Sequence, residues 1–327
     1  MKKITTLLMM FALMLVLAAC GAKEEKAPDT SADGNKDEPK EVEVEEENTT
    51  VEITHELDKE PIVLEKNPGK VVVFDFGILD TLDELGVEVA GVPQKNVPSY
   101  LSKYEDAKYE NVGGLKEPDF EAIHAMQPDV IFISGRQADM YEELSEIAPT
   151  IYVGVDTSNY MESFKANMEM VAELFNKEDE MKAELADIET KIAAVKEKTD
   201  SSDEKALIIL GNEGKVSAYG PSSRFGIIHD VFGFKAADEK IEVSTHGQNI
   251  SFEYILETNP DVLFVVDRDA AIGGDASAKD SLENDIVKKT NAYQNDKIHY
   301  LDPNYWYLSG GGLLSIKEMI KEIEAAL

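Results

Sequence analysis

The chain has 327 residues, of which 65 are acidic and 32 are lysine or arginine, so its formal net charge is −33. A chain this acidic is a poor partner for nucleic acid or anionic lipid, because like charges repel over long distances. Its single cysteine excludes an intramolecular disulfide bond. The charge does not exclude an anionic ligand, provided that the few cations gather in one place.

The first residues have the pattern of an export signal. Two lysines precede the apolar run Ile4–Ala19, which is short for a membrane span and fits the core of a signal peptide. The run ends in Leu17–Cys20, which resembles the bacterial lipobox, and Cys20 is the only cysteine in the chain. We therefore predict that residues 1–19 are a signal peptide. Cys20 would then carry the palmitate of an exported lipoprotein anchored to the outer face of the cell membrane.

A polar stretch separates this signal from the rest of the chain. Residues 20–50 consist mainly of Lys, Glu, Asp, Pro and Ser, and the acidic run Glu41–Glu47 repels itself. The composition predicts a disordered, solvated tether that holds a folded body away from the membrane.

From residue 51 onward, strands alternate with short helices, which predicts an α/β protein with mostly parallel sheets. The predicted strands are Lys70–Asp75, Val87–Val92, Val130–Ser134, Thr150–Val155, Lys205–Leu210, Lys215–Tyr219, Val262–Asp267 and Ile298–Leu301. The predicted helices are Ile78–Leu85, Phe120–Met126, Tyr141–Ala148, Gly226–Val231, Ser251–Glu257, Ser281–Val287 and Leu313–Ala326.

A long helical segment interrupts this alternation. Asn159–Thr199 contains no glycine or proline, and its apolar residues recur at helical spacing in two stripes separated by a polar break at Asn176–Asp179. The second stripe predicts one long helix over Glu178–Thr199 that joins two lobes. An ordinary helix inside one large domain is the alternative.

An internal repeat at an offset of 132 residues favours two similar lobes. Phe120–Ile123 is matched by Phe252–Ile255, and the Pro-Asp strand Pro128–Ile133 is matched by Pro260–Val265. We therefore predict an N-terminal lobe (residues 51–158), a helical segment (159–199) and a C-terminal lobe (200–327), with the ligand cleft between the lobes.

The only three arginines lie where such a cleft is expected. Arg136 and Arg268 follow predicted strands at equivalent points of the repeat, and Arg224 lies in a turn that opens a helix. In open α/β sheets, ligands bind at the carboxyl ends of the strands. A guanidinium suits oxyanions, because it offers a planar fork of donors and stays charged when partly buried. Three cations converging on one anionic ligand are therefore predicted; three separate structural ion pairs are the alternative.

Two further stretches are candidates for the same cleft. His246 lies in a polar loop, and Trp306 lies between Tyr305 and Tyr307, before a run of three glycines. His246 alone is more often a hydrogen-bonded loop residue, and the aromatic triplet alone is more often core packing. Together, an imidazole and a phenolate could contact a ferric ion, a hard centre that favours oxygen. The aromatic faces could also pack against aromatic rings of a ligand.

The chain as a whole resembles the ferric-siderophore-binding lipoproteins of bacterial ABC importers, within the helix-hinged (class III) substrate-binding proteins. The lipobox, the paired lobes and the joining helix carry the resemblance, together with the segments Glu117–Glu121, Pro128–Val130 and Thr245–Gln248. Val71–Gly77 and Trp306–Gly312 are similar to the petrobactin-type, catecholate-binding branch.

The resemblance implies roles for the cleft residues. In the catecholate-binding branch three cleft arginines hold the ferric complex, and Arg136, Arg224 and Arg268 match them. A histidine and a tyrosine that complete the iron coordination when the siderophore leaves sites open match His246 and Tyr307. The implied ligand is an Fe(III)–siderophore complex, and no intrinsic cofactor is expected.

The resemblance also implies partners. One surface glutamate per lobe meets arginines of the permease in this family, and Glu121 and Glu253 match these positions within the repeat. The expected partners are transmembrane permease subunits with a cytoplasmic ATPase, and the expected oligomeric state is a monomer.

Several other functions remain open from the residues alone. A protein of this architecture could bind a hydroxamate siderophore, haem, cobalamin or a divalent metal instead. An enzyme is not expected, because the sequence lacks a Gly-x-Ser-x-Gly elbow and a candidate catalytic triad.

Overall fold

The computed structural model describes residues 49–327, so the predicted signal peptide, Cys20 and the tether up to residue 48 lie outside the described residues. Within residues 49–327, no helix is both long enough and apolar enough to cross a membrane. The folded part begins with an antiparallel hairpin of strands β1 (Thr50–His55) and β2 (Asp58–Glu65). This hairpin was not predicted from the sequence, and its first residue, Thr50, falls in the predicted tether.

A sheet of five parallel strands confirms the predicted pattern in the N-terminal half. Its strands are β3 (Val71–Val73), β4 (Gly91–Val92), β5 (Glu110–Asn111), β6 (Val130–Ile133) and β7 (Thr150–Tyr152). Their order in the sheet is β5-β4-β3-β6-β7. The helices of this half are α1 (Phe76–Glu84), α2 (Phe120–Met126) and α3 (Tyr141–Ser145), with 3₁₀ turns at Ser99–Glu105 and Ala138–Met140.

Two consecutive helices, α4 (Tyr160–Leu174) and α5 (Glu178–Asp200), follow the first sheet. They are separated at Asn176, whose φ of 52° is the left-handed conformation that ends a helix. Helix α5 carries the predicted apolar stripe on its buried side and leads into the second sheet. The prediction of one long joining helix is therefore confirmed.

The second sheet is mixed. Its strands are β8 (Lys205–Asn212), β9 (Lys215–Tyr219), β10 (Lys235–Ala236), β11 (Gln248–Ile250), β12 (Val262–Asp267) and β13 (Ile298–Leu301). Their order is β11-β9-β8-β12-β13, with β10 beside the start of β8. Only the β8–β9 and β9–β11 pairs of this sheet are antiparallel.

Short helices complete the C-terminal half. They are α6 (Ile227–Asp230), α7 (Phe252–Thr258), α8 (Arg268–Ile272), α9 (Ala278–Leu282), α10 (Asn291–Gln294) and the longer α11 (Leu313–Ala325). The helix predicted over Ser281–Val287 is wrong, since α9 ends at Leu282. The side chain of Asn284 then accepts the backbone N–H groups of Ile286 and Val287, which holds a turn there.

The predicted repeat is present as structure. Helices α2 and α7 both end in a left-handed residue, and β6 and β12 pair with β3 and β8, the first strands of their own sheets. Asp129 N–H donates to the carbonyl of Lys70, and Asp261 N–H donates to that of Lys205, each at 2.9 Å. The two halves therefore share one helix–strand unit; the exact domain boundaries stay a prediction.

Candidate functional site

A cavity of about 1180 Å³ lies between the carboxyl ends of the two sheets. Loops from both halves line it, and its lining includes all three arginines together with His246, Trp306 and Tyr307. This volume exceeds what most drug-sized ligands need. The six residues proposed for ligand binding thus share one cavity.

Arg136 enters the cavity from the loop after β6. The buried side chain of Gln137 accepts the N–H of Ser134 at 3.2 Å, which fixes this turn. The guanidinium donates to the carbonyl oxygens of Tyr307 and Leu308 at 2.7 and 3.4 Å. Burial, and then the nearby charge of Arg224, lower the pKa of Arg136.

Arg224 is held by a tight turn before α6. Ser222 adopts a φ of 57°, and its N–H donates to Asp230 Oδ2 at 2.6 Å. The guanidinium donates to the Tyr307 carbonyl at 2.7 Å and lies 4.2 Å from the centre of the Tyr307 ring. Arg224 thus contacts both the backbone and the aromatic face of Tyr307.

Arg268 is the first residue of α8. Its Nε donates to the Tyr307 hydroxyl at 3.0 Å, and its Nη1 donates to Asn212 Oδ1 at 2.7 Å. Among residues 49–327, the ion pairs within 4.0 Å all use lysine, so none of the three arginines has a carboxylate partner at that distance. The alternative of three separate structural ion pairs is therefore contradicted.

Tyr307 lies at the centre of the three guanidiniums. It belongs to a π-helical turn, Asn304–Ser309, which is a rare geometry that occurs often at functional sites. Burial raises the pKa of the Tyr307 phenol, but Arg224, the hydrogen bond from Arg268 and the charge of Arg136 outweigh it and leave the pKa below 10. We call Asn304–Gly312 the floor segment, because Trp306–Gly311 lines the cavity.

His246 lies at the rim of the cavity with an exposed side chain. Its turn is closed by Gly247 N–H donating to the Ser244 carbonyl at 3.2 Å. Gly247 has a φ of 72°, and a β-carbon there would come within 2.7 Å of the Tyr219 ring. This position therefore requires glycine, and the close approach to the ring fixes the loop that carries His246.

Trp306 differs from the other proposed ligand contacts. Only 3% of it is exposed, and its indole N–H donates to Glu322 Oε2 at 2.5 Å. Tyr305 packs its ring against Tyr100 with the centroids 4.6 Å apart. Tyr307 therefore presents its ring to the arginines, whereas Trp306 is buried with its indole N–H on Glu322.

Two residues near the arginines were not identified from the sequence. Asn212 accepts a hydrogen bond from Arg268. Its position at the end of β8 could have identified it as a site residue, because ligands bind at strand ends. Asp75 lines the cavity after β3 and accepts the N–H of Ile78 at 2.9 Å. Burial raises the pKa of Asp75, and the charge of Arg136 partly opposes that rise.

The two predicted docking glutamates lie outside this cavity. Glu121 and Glu253 are exposed and occupy the first turns of α2 and α7. No cluster of three or more His, Cys, Asp or Glu side chains that could hold a metal ion occurs in residues 49–327.

Comparisons with known proteins agree on one family. Residues 71–305 match the family described as periplasmic binding protein. The chain is 50% identical over 329 residues to the petrobactin-binding protein YclQ of Bacillus subtilis (strain 168), covering 100% of this chain and 99% of that protein. A crystal structure of YclQ has a TM-score of 0.83 and 54% identity, covering 85% of this chain and 98% of that chain. The catecholate-siderophore-binding protein VctP of Vibrio cholerae has a TM-score of 0.79 and 36% identity, covering 84% and 99%.

Proposed function

The chain belongs to the periplasmic binding protein family, and we propose that it captures an anionic ferric catecholate siderophore of the petrobactin type for an ABC importer. It binds its ligand without transforming it, and it hands the ligand to permease subunits that a cytoplasmic ATPase drives. The names of its relatives supply the ligand class, and the cavity supplies the physical argument.

One observation carries the proposal: within residues 49–327, three guanidiniums that have no carboxylate oxygen within 4.0 Å surround a phenol in one cavity. A phenol is an aromatic ring that bears one oxygen, and a catecholate is an aromatic ring that bears two. A ferric tris-catecholate or catecholate–citrate complex is a trianion, so three cations compensate its charge. At an effective dielectric of about 20, each contact contributes several kcal/mol before desolvation.

Tyr307 and His246 are proposed to contact the iron where the siderophore leaves coordination sites open. The neighbouring arginines support this for Tyr307, because a phenol with a lowered pKa yields a phenolate more readily. His246 lies on a separate loop of the same cavity, so the two side chains could approach the ligand from different sides. Binding to the protein should shift the visible catecholate-to-iron charge-transfer band of a ferric bis-catecholate, and the shift should be smaller in Tyr307→Phe.

The first test uses Trp306, the only tryptophan, as a fluorescent probe. The soluble part of the chain, without residues 1–20, is titrated with ferric petrobactin and with a simple ferric bis-catecholate. A ferric hydroxamate and zinc serve as controls. We expect saturable quenching by the catecholates alone, because Trp306 is among the residues that line the cavity.

Each of the other possible titration results would change or overturn the proposed function. Quenching by the hydroxamate alone would keep the transport role and overturn the catecholate assignment. A response to zinc alone would favour a divalent-metal binder. No response to any ligand, with equilibrium dialysis also negative, would overturn the proposed function.

Glu121 and Glu253 are proposed to dock the loaded protein on the permease. Their equivalent places on α2 and α7 support this, since a two-fold arrangement of permease subunits would meet one glutamate from each half. Glu121→Lys and Glu253→Lys should leave ligand affinity unchanged and abolish uptake of radioactive iron by cells. Glu173→Lys, an exposed acid on α4, is the matched control and should transport normally.

The lipid anchor and the monomeric state are proposals from the sequence. Cys20→Ser should release the protein from membranes into the medium and remove labelling by radioactive palmitate. Retention of the variant on washed membranes would contradict the anchor. Light scattering of the soluble part should give the mass of one chain, and a doubled mass would contradict the monomer.

A further inference from the structure

A buried cluster joins the start of α11 to α1, although the two helices are far apart in sequence. Leu313 N–H donates to Thr81 Oγ1 at 2.9 Å. The next two N–H groups, of Leu314 and Ser315, donate to the two carboxyl oxygens of Asp80, each at 3.1 Å. Asp80 and Thr81 are completely buried. A helix that follows the second sheet therefore has its N-terminus capped by side chains of the first half.

Tyr100 extends this cluster to the floor segment. Its hydroxyl lies 3.0 Å from Asp80 Oδ2 and 2.7 Å from Ser309 Oγ. The phenol has one proton, so when it donates to Asp80 the hydroxyl of Ser309 donates to the phenol oxygen. Ser309 ends the π-helical turn that contains Tyr307, and Ser309 itself lines the cavity. One chain of hydrogen bonds thus runs from α1 to the edge of the binding cavity.

The glycines of the floor segment fit this close approach. A β-carbon at Gly312 would collide with the carbonyl of Gly77 and with the carboxyl of Asp80. The floor segment also accepts a bond from the first half at its other end, where Ser99 N–H donates to Asn304 Oδ1 at 3.0 Å. The floor segment, which comes after the last strand of the second sheet, is therefore held at both ends by the first half.

We propose that Asp80 and Tyr100 are positioning residues that hold the floor segment against the first half of the chain. Tyr307 then stays beside Arg136 when the second half moves relative to the first and the cavity opens. We call Asp80, Thr81 and Tyr100 the Asp80 clamp. When the cavity opens, the contacts that change are then those of Arg224 and Arg268 with Tyr307. The inference rests on the proposed function only for the identity of the ligand.

The burial of Asp80 supports a positioning role. Burial raises the pKa of Asp80 to about 7, against the opposing effect of its hydrogen bonds, so this carboxyl is costly to keep ionised. An apolar side chain would avoid that cost but would leave the N–H groups of Leu314 and Ser315 without acceptors. Residues that break a local rule in this way are expected at functional sites, where they fix one arrangement of the neighbouring elements.

The test measures how accessible the floor segment is to solvent, through acrylamide quenching of Trp306 in the ligand-free protein. The variants are Tyr100→Phe, Ser309→Ala, Asp80→Asn and Asp80→Ala. Thr199→Val is the matched control, because this buried hydroxyl donates to the Phe232 carbonyl at 2.7 Å and does not line the cavity. Affinity for the ferric bis-catecholate is measured in parallel on the same proteins.

We expect the quenching constant of Trp306 to rise about twofold in Tyr100→Phe and Ser309→Ala and to stay unchanged in Thr199→Val. Affinity for the ferric bis-catecholate should fall about tenfold in Tyr100→Phe, because the hydroxyl that links the buried carboxyl of Asp80 to Ser309 of the floor segment is lost. Asp80→Asn keeps one acceptor oxygen, so its quenching constant and its affinity should lie between those of the wild type and those of Asp80→Ala. Tyr100→Phe and Ser309→Ala keep the clamp testable if the Asp80 variants do not fold.

Two results separate this inference from the proposed function. Unchanged Trp306 quenching in both Tyr100→Phe and Ser309→Ala would overturn the clamp, whatever the ligand. Increased quenching in these variants, with no wild-type binding of any ferric catecholate, would support the clamp and overturn the proposed ligand. An equal loss of affinity in Thr199→Val would show a general loss of stability and would also overturn the clamp.

Discussion

The two halves of the chain share one unit and differ in the element that comes after the first strand of their main sheet. In both, a short helix ends in a left-handed residue and a Pro-Asp turn begins a strand that pairs with that first strand, β3 or β8. After β3 the chain forms helix α1, which carries Asp80; after β8 it turns back as the antiparallel strand β9, which leads to Arg224. The repeated unit builds the frame, and the parts that do not repeat carry most of the binding chemistry.

The arginines at the ends of the repeated strands show the same contrast. Arg136 donates to backbone carbonyls of the floor segment, so it also supports that segment. Arg268 donates to the Tyr307 hydroxyl and to Asn212, so it contacts the floor only through one side chain. Equivalent positions in the repeat therefore have unequal structural roles, and substitutions in the two halves should have unequal effects.

The largest expected effect concerns Asp80, which belongs only to the first half. Because its pKa is raised to about 7 from an ordinary value of 3.8, its contribution to stability is fully present below about pH 4 and is lost as the pH rises through about 7. A shift of about 3 units corresponds to about 4 kcal/mol at most. Asp80→Asn cannot ionise, so the wild type should lose stability relative to this variant between pH 4 and 8, as measured by urea unfolding. A difference that does not change with pH would contradict this prediction.

The next effect compares Arg136 with Arg268 in ligand binding. Arg136→Ala should weaken binding of the ferric bis-catecholate by about 100-fold, and Arg268→Ala by about tenfold, because only the first also removes hydrogen bonds to backbone carbonyls of the floor segment. Arg136→Lys and Arg268→Lys keep the charge but not the planar fork, so each should recover only part of the loss. Isothermal titration measures all four variants, and equal losses in the two alanine variants would remove the distinction.

A smaller effect compares the aspartates of the two Pro-Asp turns. Asp129 Oδ2 accepts the N–H groups of Gly69 and Lys70 at 2.9 and 2.7 Å, whereas Asp261 accepts the N–H of Lys205 and the side-chain amide of Asn291 at the longer distances of 3.0 and 3.2 Å. Asp129→Ala should cost about 1.5 kcal/mol of unfolding free energy and Asp261→Ala about 1 kcal/mol. Asp179→Ala, an exposed acid on α5, should change stability by less than about 0.5 kcal/mol. A larger loss at Asp261 would reverse the comparison.

The smallest effect concerns the left-handed residues that end α2 and α7. Gln127 has a φ of 51° and Asn259 a φ of 45°, and Asn tolerates this conformation better than Gln. Gln127→Gly should therefore raise the free energy of unfolding by about 0.5–1 kcal/mol, and with it the melting temperature. Asn259→Gly should lower it, because Asn259 Oδ1 accepts the N–H of Asn291 at 2.8 Å. A melting temperature that changes in the same direction in both variants would contradict this assignment.

Much of the fold could be predicted from local sequence. The strand limits Lys215–Tyr219, Val262–Asp267 and Ile298–Leu301 agree with the structure, because turn residues bound all three segments and the apolar run of Val262–Asp267 specifies a buried strand locally. The hairpin β1–β2 was missed because the acidic composition before residue 50 continues into strands that are exposed on one face. The helix predicted at Ser281–Val287 was wrong because the side chain of Asn284 forms a turn there.

The sequence by itself determined the repeat, the joining helix and the gathering of three arginines, because strand ends of parallel sheets meet at one edge and side-chain periodicity is local. Only the tertiary structure decided which aromatic of the Tyr-Trp-Tyr triplet faces the cavity. The π-helical turn directs Tyr307 toward the arginines and Trp306 toward Glu322. Only the tertiary structure placed α11 on Asp80, since that contact joins residues 234 and 235 positions apart and has no local signal.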